Sequence, residues 1–207
     1  MTVSRLAGIA LATAGTESST ETSPEVDKLI AALRDEDEIV RTNAWVAAGE
    51  VGAPAVGPLA DLMLDAQPEV ARAAKRALWQ VARHSGRPGA ESDKAAVVAA
   101  LLTVLAGERP DAVRREVMWM LSEIGGDESV APLASLLSTA ELREDARMCV
   151  ERIPGTASLD ALKSALDSVP QDFKANIAES LRKRGVEVPE FPSVKLAPSR
   201  ATSVQAM

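Results

Sequence analysis

The chain has 207 residues, a net charge of −7, one cysteine and one histidine. That length holds one domain or one short repeat array. A lone cysteine excludes an internal disulfide framework, and the acidic balance argues against broad nucleic-acid binding, which needs a basic surface. Hydrophobic residues make up 46% of the chain, yet it has only three Trp, two Phe and no Tyr. A core built from Ala, Leu and Val, with abundant charge around it, reads as helical.

The N-terminal stretch MTVSRLAGIALATAG leaves three readings open: a lone capping helix, a flexible tail, or a weak imitation of a signal peptide. TESSTET, 16 to 22, reads as a flexible link. No run of about 18 apolar residues follows, so no transmembrane helix is expected. The composition fits a cytoplasmic protein without metal or cofactor.

From residue 24 the chain repeats itself, which is the first thing to establish in a sequence of this kind. With Val113 as position 0, apolar residues recur at positions 0, 4, 7, 8 and 11 as Val113, Val117, Met120, Leu121 and Ile124. The same template fits from Val40, Val70, Leu142 and Phe173, at intervals of 30, 43, 29 and 31 residues. Each fit is preceded by a second apolar stretch at helical spacing: EVDKLIAALR, AVGPLADLML, KAAVVAALLTVL, SVAPLASLLS and SLDALKSALD.

Turn signals divide the pairs. Asp35 and Glu38 suggest a capping box. Pro68, Pro110 and Pro170 stand where a first helical residue belongs. The long interval holds ARHSGRPGAESDK, read as a loop insertion near 83–94. One such pair cannot bury its own apolar stripe, whereas stacked pairs can. The expected fold is therefore all-α: an α-solenoid of five helix-turn-helix repeats over 24–185. An N-terminal segment, 1–23, precedes it. An extended arm, 186–207, follows, with Pro189, Pro192 and Pro198 and an anchor at Phe191.

The pattern Val-Arg-x-x-Ala-x-x-Ala-Leu/Ala-Gly after an acidic turn resembles HEAT repeats. DEDEIVRTNAWVAAGEVG and DAVRREVMWMLSEIGG carry it best. The thirty-residue period is similar to that of the compact HEAT-like repeats of bacteria and archaea, the phycobilisome-lyase type. The resemblance implies that second helices line the concave face and that Arg41, Arg114 and Arg143, all at position 1, form an inter-repeat ladder. It is specific for fold and weak for function.

The sequence suits three functional classes unequally. Positions 2, 6 and 9 lie towards the groove that the resemblance implies. Trp79, Trp119 and Met148 would then form an apolar strip, flanked by Arg72, Arg76, Arg115 and Arg147. Trp and Arg together are the usual chemistry of a binding hot spot. The leading expectation is a non-enzymatic scaffold for a partner protein or peptide, one bearing carboxylates. The same strip suits a flat tetrapyrrole, as in bilin lyases, although no lyase motif is present. A HEAT-like DNA glycosylase, suggested by Trp79, Trp119 and Asp145, is opposed by the charge. Deoxyhypusine hydroxylase needs repeated His-Glu pairs, and His84 is followed by Ser85. Trp45 reads as core or edge, Cys149 as inert packing and His84 as a helix-end residue.

Overall fold

The computed structural model describes residues 23–193. Within them the chain forms ten α-helices and no strand. They are α1 Pro24–Leu33, α2 Glu38–Ala47, α3 Val56–Leu62, α4 Pro68–Ser85, α5 Glu91–Ala106, α6 Asp111–Ile124, α7 Asp127–Ala134, α8 Arg143–Arg152, α9 Thr156–Ser168 and α10 Lys174–Lys183. Odd-numbered helices pack on odd, and even on even, from each pair to the next. Each pair also packs within itself. The result is an α-solenoid of five helix pairs in two layers. The segment 1–22, with its three possible readings, lies outside the described residues.

The repeat template describes the core of the middle repeats. Val70, Ala74, Ala77, Leu78 and Val81 on α4 are buried, as are the five template residues on α6 and the five that start at Leu142. Alanine at positions 4 and 7 lets neighbouring backbones approach without a void, which a close-packed interior requires. The first repeat differs: α2 has no buried residue, Val46 is half exposed and Ile39 more so. Among the described residues no even helix precedes α2, so the side of it that would meet one is open.

Local chemistry sets the ends of the helices. Ser23 caps α1 by accepting from the Val26 amide, and Pro24 opens the first turn. Asp37, not Asp35, caps α2: its carboxylate accepts from the Ile39 amide at 2.8 Å. Asp35 instead accepts from the Asp37 amide at 2.8 Å and shapes the turn. Pro68 is a first helical residue as expected, whereas Pro110 precedes α6 by one residue and Pro170 precedes the 3-10 turn Gln171–Phe173 that leads into α10.

The insertion is not a 12-residue loop. The segment ARHS completes α4 to 18 residues, ESDK opens α5, and only 86–90 connect them. Glu91 and Asp93 favour the N-terminal end of α5. Only Gly86, Pro88 and Gly89 act as breakers.

Two glycines mark where the first repeat meets the second. Gly52 has φ +70°, a conformation that other residues adopt only with strain. Gly49 faces His84 of α4 so closely that a Cβ there would lie 2.6 Å from the His84 Cβ. His84 is thus a half-buried packing residue rather than a solvated cap. The C-terminal arm folds back after α10: Val188 is buried, Phe191 packs against the core, and Arg182 donates to the Phe191 carbonyl at 2.6 Å.

Substituting Gly49→Ala forces α2 away from α4. It is expected to lower stability by about 1–3 kcal/mol, the usual overpacking penalty, read as an earlier urea midpoint in circular dichroism.

Candidate functional site

The even helices present a face on which aromatic rings, cations and carboxylates alternate. Trp79 on α4 donates through Nε1 to Glu116 of α6 at 2.8 Å, and Lys75 pairs with the same carboxylate. One repeat later, Trp119 donates to Asp145 of α8 at 3.2 Å, and Arg115 reaches the same aspartate at 3.1 Å. Glu116 and Asp145 both stand at position 3. The rings carry cations as well: Arg83 lies 4.9 Å from the Trp79 centroid and Arg152 5.5 Å from that of Trp119. Glu123 lies 3.9 Å from each of those two arginines.

The expected apolar strip is therefore corrected. Trp79 and Trp119 are half-buried, their N–H groups are used internally, and charge is interleaved with them. Met148, 38% exposed, is the one plainly exposed apolar member of the three. The flanking arginines divide as well. Arg72 is exposed and paired with Glu69 at 2.5 Å, and Arg76 is exposed over the Trp45 ring at 5.7 Å. Arg115 bridges Asp145 and the Glu141 carbonyl.

Arg147 is buried, at the base of a second groove of about 390 Å³ along α10 rather than beside the Trp79–Trp119 strip. Its guanidinium donates to Glu144, Glu151 and Ser180, joining α8 to α10. Met118, at the same position 5, is fully buried. Position 5 thus faces the next even helix, buried at Met118 and Arg147 but still open to solvent at Lys75.

The position 1 arginines behave unequally. Arg41 donates to the carbonyls of Asp35 and Glu36 in the turn before its own helix, and Arg114 pairs with Asp111 of its own helix. Arg143 alone of the three reaches the next repeat, at Asp172 (2.6 Å), and stacks on Phe173. Arg184 also clamps neighbouring repeats, donating to the carbonyls of Glu151, Ile153 and Gly155 at the end of α8.

A groove of about 630 Å³ lies on the first two even helices. Trp45, Arg72, Lys75, Arg76, Trp79 and Arg83 line it, and no carboxylate does. Trp45 and Lys75 were not expected here. Trp45 at position 5 reads as packing because the signal lies on the next helix: the cations that frame it are about thirty residues later. Among the described residues, Arg76 is paired with no carboxylate, and the buried Nε1 of Trp45 has no acceptor. Also among the described residues, no helix is long and apolar enough to cross a membrane.

The array contains one acidic cluster with shifted carboxyls. The Arg147 hydrogen bonds hold Glu144 below its ordinary value near 4.5, against the opposing effect of burial. Burial pushes Glu151 up, but hydrogen bonds from Ser180 and Lys183 and the charges around it outweigh that and bring it down. Burial also raises the Cys149 thiol to about 12, which removes the thiolate that reactivity requires.

No family model matches the chain, and no curated protein matches it. Among solved structures it is similar to a designed armadillo repeat protein in complex with the peptide (KR)4. The identity is 20%, coverage is 76% of this chain and 80% of that one, and the TM-score is 0.42. It is also similar to a second designed armadillo repeat protein at 19% identity, covering 76% and 81%, with a TM-score of 0.39. An engineered protein from a structural genomics consortium shows 21% identity, 76% and 78% coverage and a TM-score of 0.38.

Two outcomes follow from the buried cluster. Carboxyls depressed in the folded state contribute stability above their unfolded values and lose it as pH falls through the folded ones. The urea midpoint should therefore drop as pH falls below about 4.5, and Glu151→Gln should flatten that drop. Cys149 should not react with a disulfide-exchange reagent in the native protein and should react stoichiometrically in urea; fast native labelling would contradict its burial.

Proposed function

We propose that this chain is a HEAT-like interaction module that binds a protein or peptide on the face made by its even helices and carries out no chemistry itself. The observation that carries this is the groove over α2 and α4: two tryptophans framed by four cations, with no carboxylate in its lining. Large rigid rings bury area at little entropic cost, and arginine adds charge and stacking, which is the composition of interface anchors.

The remaining titratable groups of the described face favour the same reading. Glu116, Asp145 and Glu151 are each tied to cations and to ring N–H or hydroxyl donors, which serves register between repeats. Catalysis needs a base or nucleophile held free towards a substrate. The repeat template, with its thirty-residue period, supports the compact HEAT-like assignment. The partner site is centred further towards the N-terminus than the strip Trp79, Trp119, Met148. Arg72 and Arg76 belong to its accessible part, whereas Arg115 and Arg147 hold the scaffold together.

The test uses exposed residues, so that folding is not at stake. Arg72→Ala/Arg76→Ala should keep the wild-type circular dichroism and melting temperature. It should lose, by tenfold or more, a partner that the wild type captures from the source-cell extract. Undiminished capture would move the binding surface off this groove.

A further inference from the structure

Two junctions between even helices, α4 to α6 and α6 to α8, share a pattern that the junction of α2 with α4 lacks, as does that of α8 with α10, where position 3 is Asn176. Lys75 at position 5 of α4 meets the position 3 carboxylate of α6, Glu116, which Trp79 also bonds. Arg115 and Trp119 of α6 meet the position 3 carboxylate of α8, Asp145. On α2 the position 5 residue is Trp45, and position 3 of the next even helix is Ala73. A methyl group stands where a carboxylate stands in the following two repeats.

Three features surround that methyl group. Trp45 Nε1 is buried with no acceptor. Arg76 lies over the ring with no carboxylate partner among the described residues. A small cavity of about 30 Å³ adjoins Trp45, Ala73 and Arg76. Such a volume holds a group about the size of one water or one carboxylate. Two acids and three arginines line it: Glu69 is held by Arg72, Glu38 lies in the first turn of α2, and Arg41 stands with Arg72 and Arg76 to offset them. The cavity lies next to the cationic groove, with which it shares Trp45, Arg72 and Arg76.

We infer that the groove takes an acidic peptide segment, and that one aspartate or glutamate of that segment fills the gap beside Ala73, between Trp45 Nε1 and Arg76. The inference rests on the reading of this face as a binding surface and specifies what it binds. The ligand carboxylate completes the ring–cation–carboxylate set that α4 and α6 complete with their neighbours. The remaining acidic residues of the peptide face Lys75 and Arg83. The net charge of −7 disfavours a nucleic acid, whose affinity depends on releasing counterions along an extended basic track.

The probe is a fluorescein-labelled octapeptide of alternating glutamate and leucine, compared with its glutamine-for-glutamate twin by anisotropy. The wild type should bind the glutamate peptide at least tenfold more tightly than the twin, and Arg76→Ala should remove most of that preference. Ala73→Glu supplies the missing carboxylate from the scaffold itself. It should compete the peptide out while leaving the melting temperature unchanged or higher. If Ala73→Glu does not fold, the decision rests on Arg76→Ala, whose side chain is exposed. Equal affinity for the two peptides, or no binding of either at 1 mM (roughly the weakest affinity worth calling binding), overturns the inference. Tighter binding of a thymidine octanucleotide than of the peptide also overturns it, in favour of a general polyanion site. If capture from extract still depends on Arg72 and Arg76 while the glutamate peptide fails, only the acidic-ligand inference falls. If capture is independent of both arginines, the binding surface lies off this groove, and the reading of the groove as the partner site falls as well.

Discussion

Everything in this molecule depends on the fit between one even helix and the next. A single helix pair leaves an apolar stripe open, and only a neighbouring pair closes it. Alanine makes the fit close: Ala74, Ala77 and Ala146 are fully buried at positions 4 and 7, where larger side chains would hold the backbones apart. Once that distance is set, side chains at positions 2, 5, 6 and 9 fall within reach of position 3 on the following helix. The Trp79–Glu116–Lys75 and Trp119–Asp145–Arg115 sets are consequences of the spacing. Partly exposed ion pairs of this kind contribute little stability on their own, so their main effect is on register.

The contact between repeats changes along the chain. Between the first two it combines the fit of Gly49 against His84 with the Arg34–Asp65 pair at 3.2 Å and the stacking of Arg76 on Trp45. Between the last two it is electrostatic: Arg147 reaches Ser180, and Arg184 takes three carbonyls at the end of α8. A buried guanidinium is tolerable only when its hydrogen bonds are satisfied, and Arg147 has Glu144, Glu151 and Ser180 for that purpose. The C-terminal half is thereby fixed in one arrangement, while the N-terminal half keeps its cations facing solvent.

The fold was legible in the sequence because the signal is periodic. Positions 0, 4, 7, 8 and 11 identify buried residues on α4, α6 and α8 without exception. What was not legible depends on pairs of residues on different helices. Nothing in the sequence around Arg147 announces Ser180, thirty-three positions on, and so a buried clamp reads as a groove residue. Trp45 reads as packing for the same reason, since the cations beside it belong to α4. Local signals misled by smaller margins. Asp35, Asp37 and Glu38 all suit a helix start, and only the backbone decides that Asp37 is the cap. The run around SGRPG reads as a long loop because its three breakers colour their neighbours, although Ala82 and Ser85 are buried in α4.

The openness of α2 has a consequence for how the array responds to load. The groove joins a helix that buries no side chain fully to one that buries eight. On the proposed reading, a molecule held there would span the joint between the most exposed even helix and the one that buries the most residues. Occupancy and cooperativity are then linked: a ligand that prefers the closed arrangement tightens the N-terminal joint, and any strain that opens the joint lowers affinity. The proposed groove would thus tie the first described repeat to the longest helix of the array.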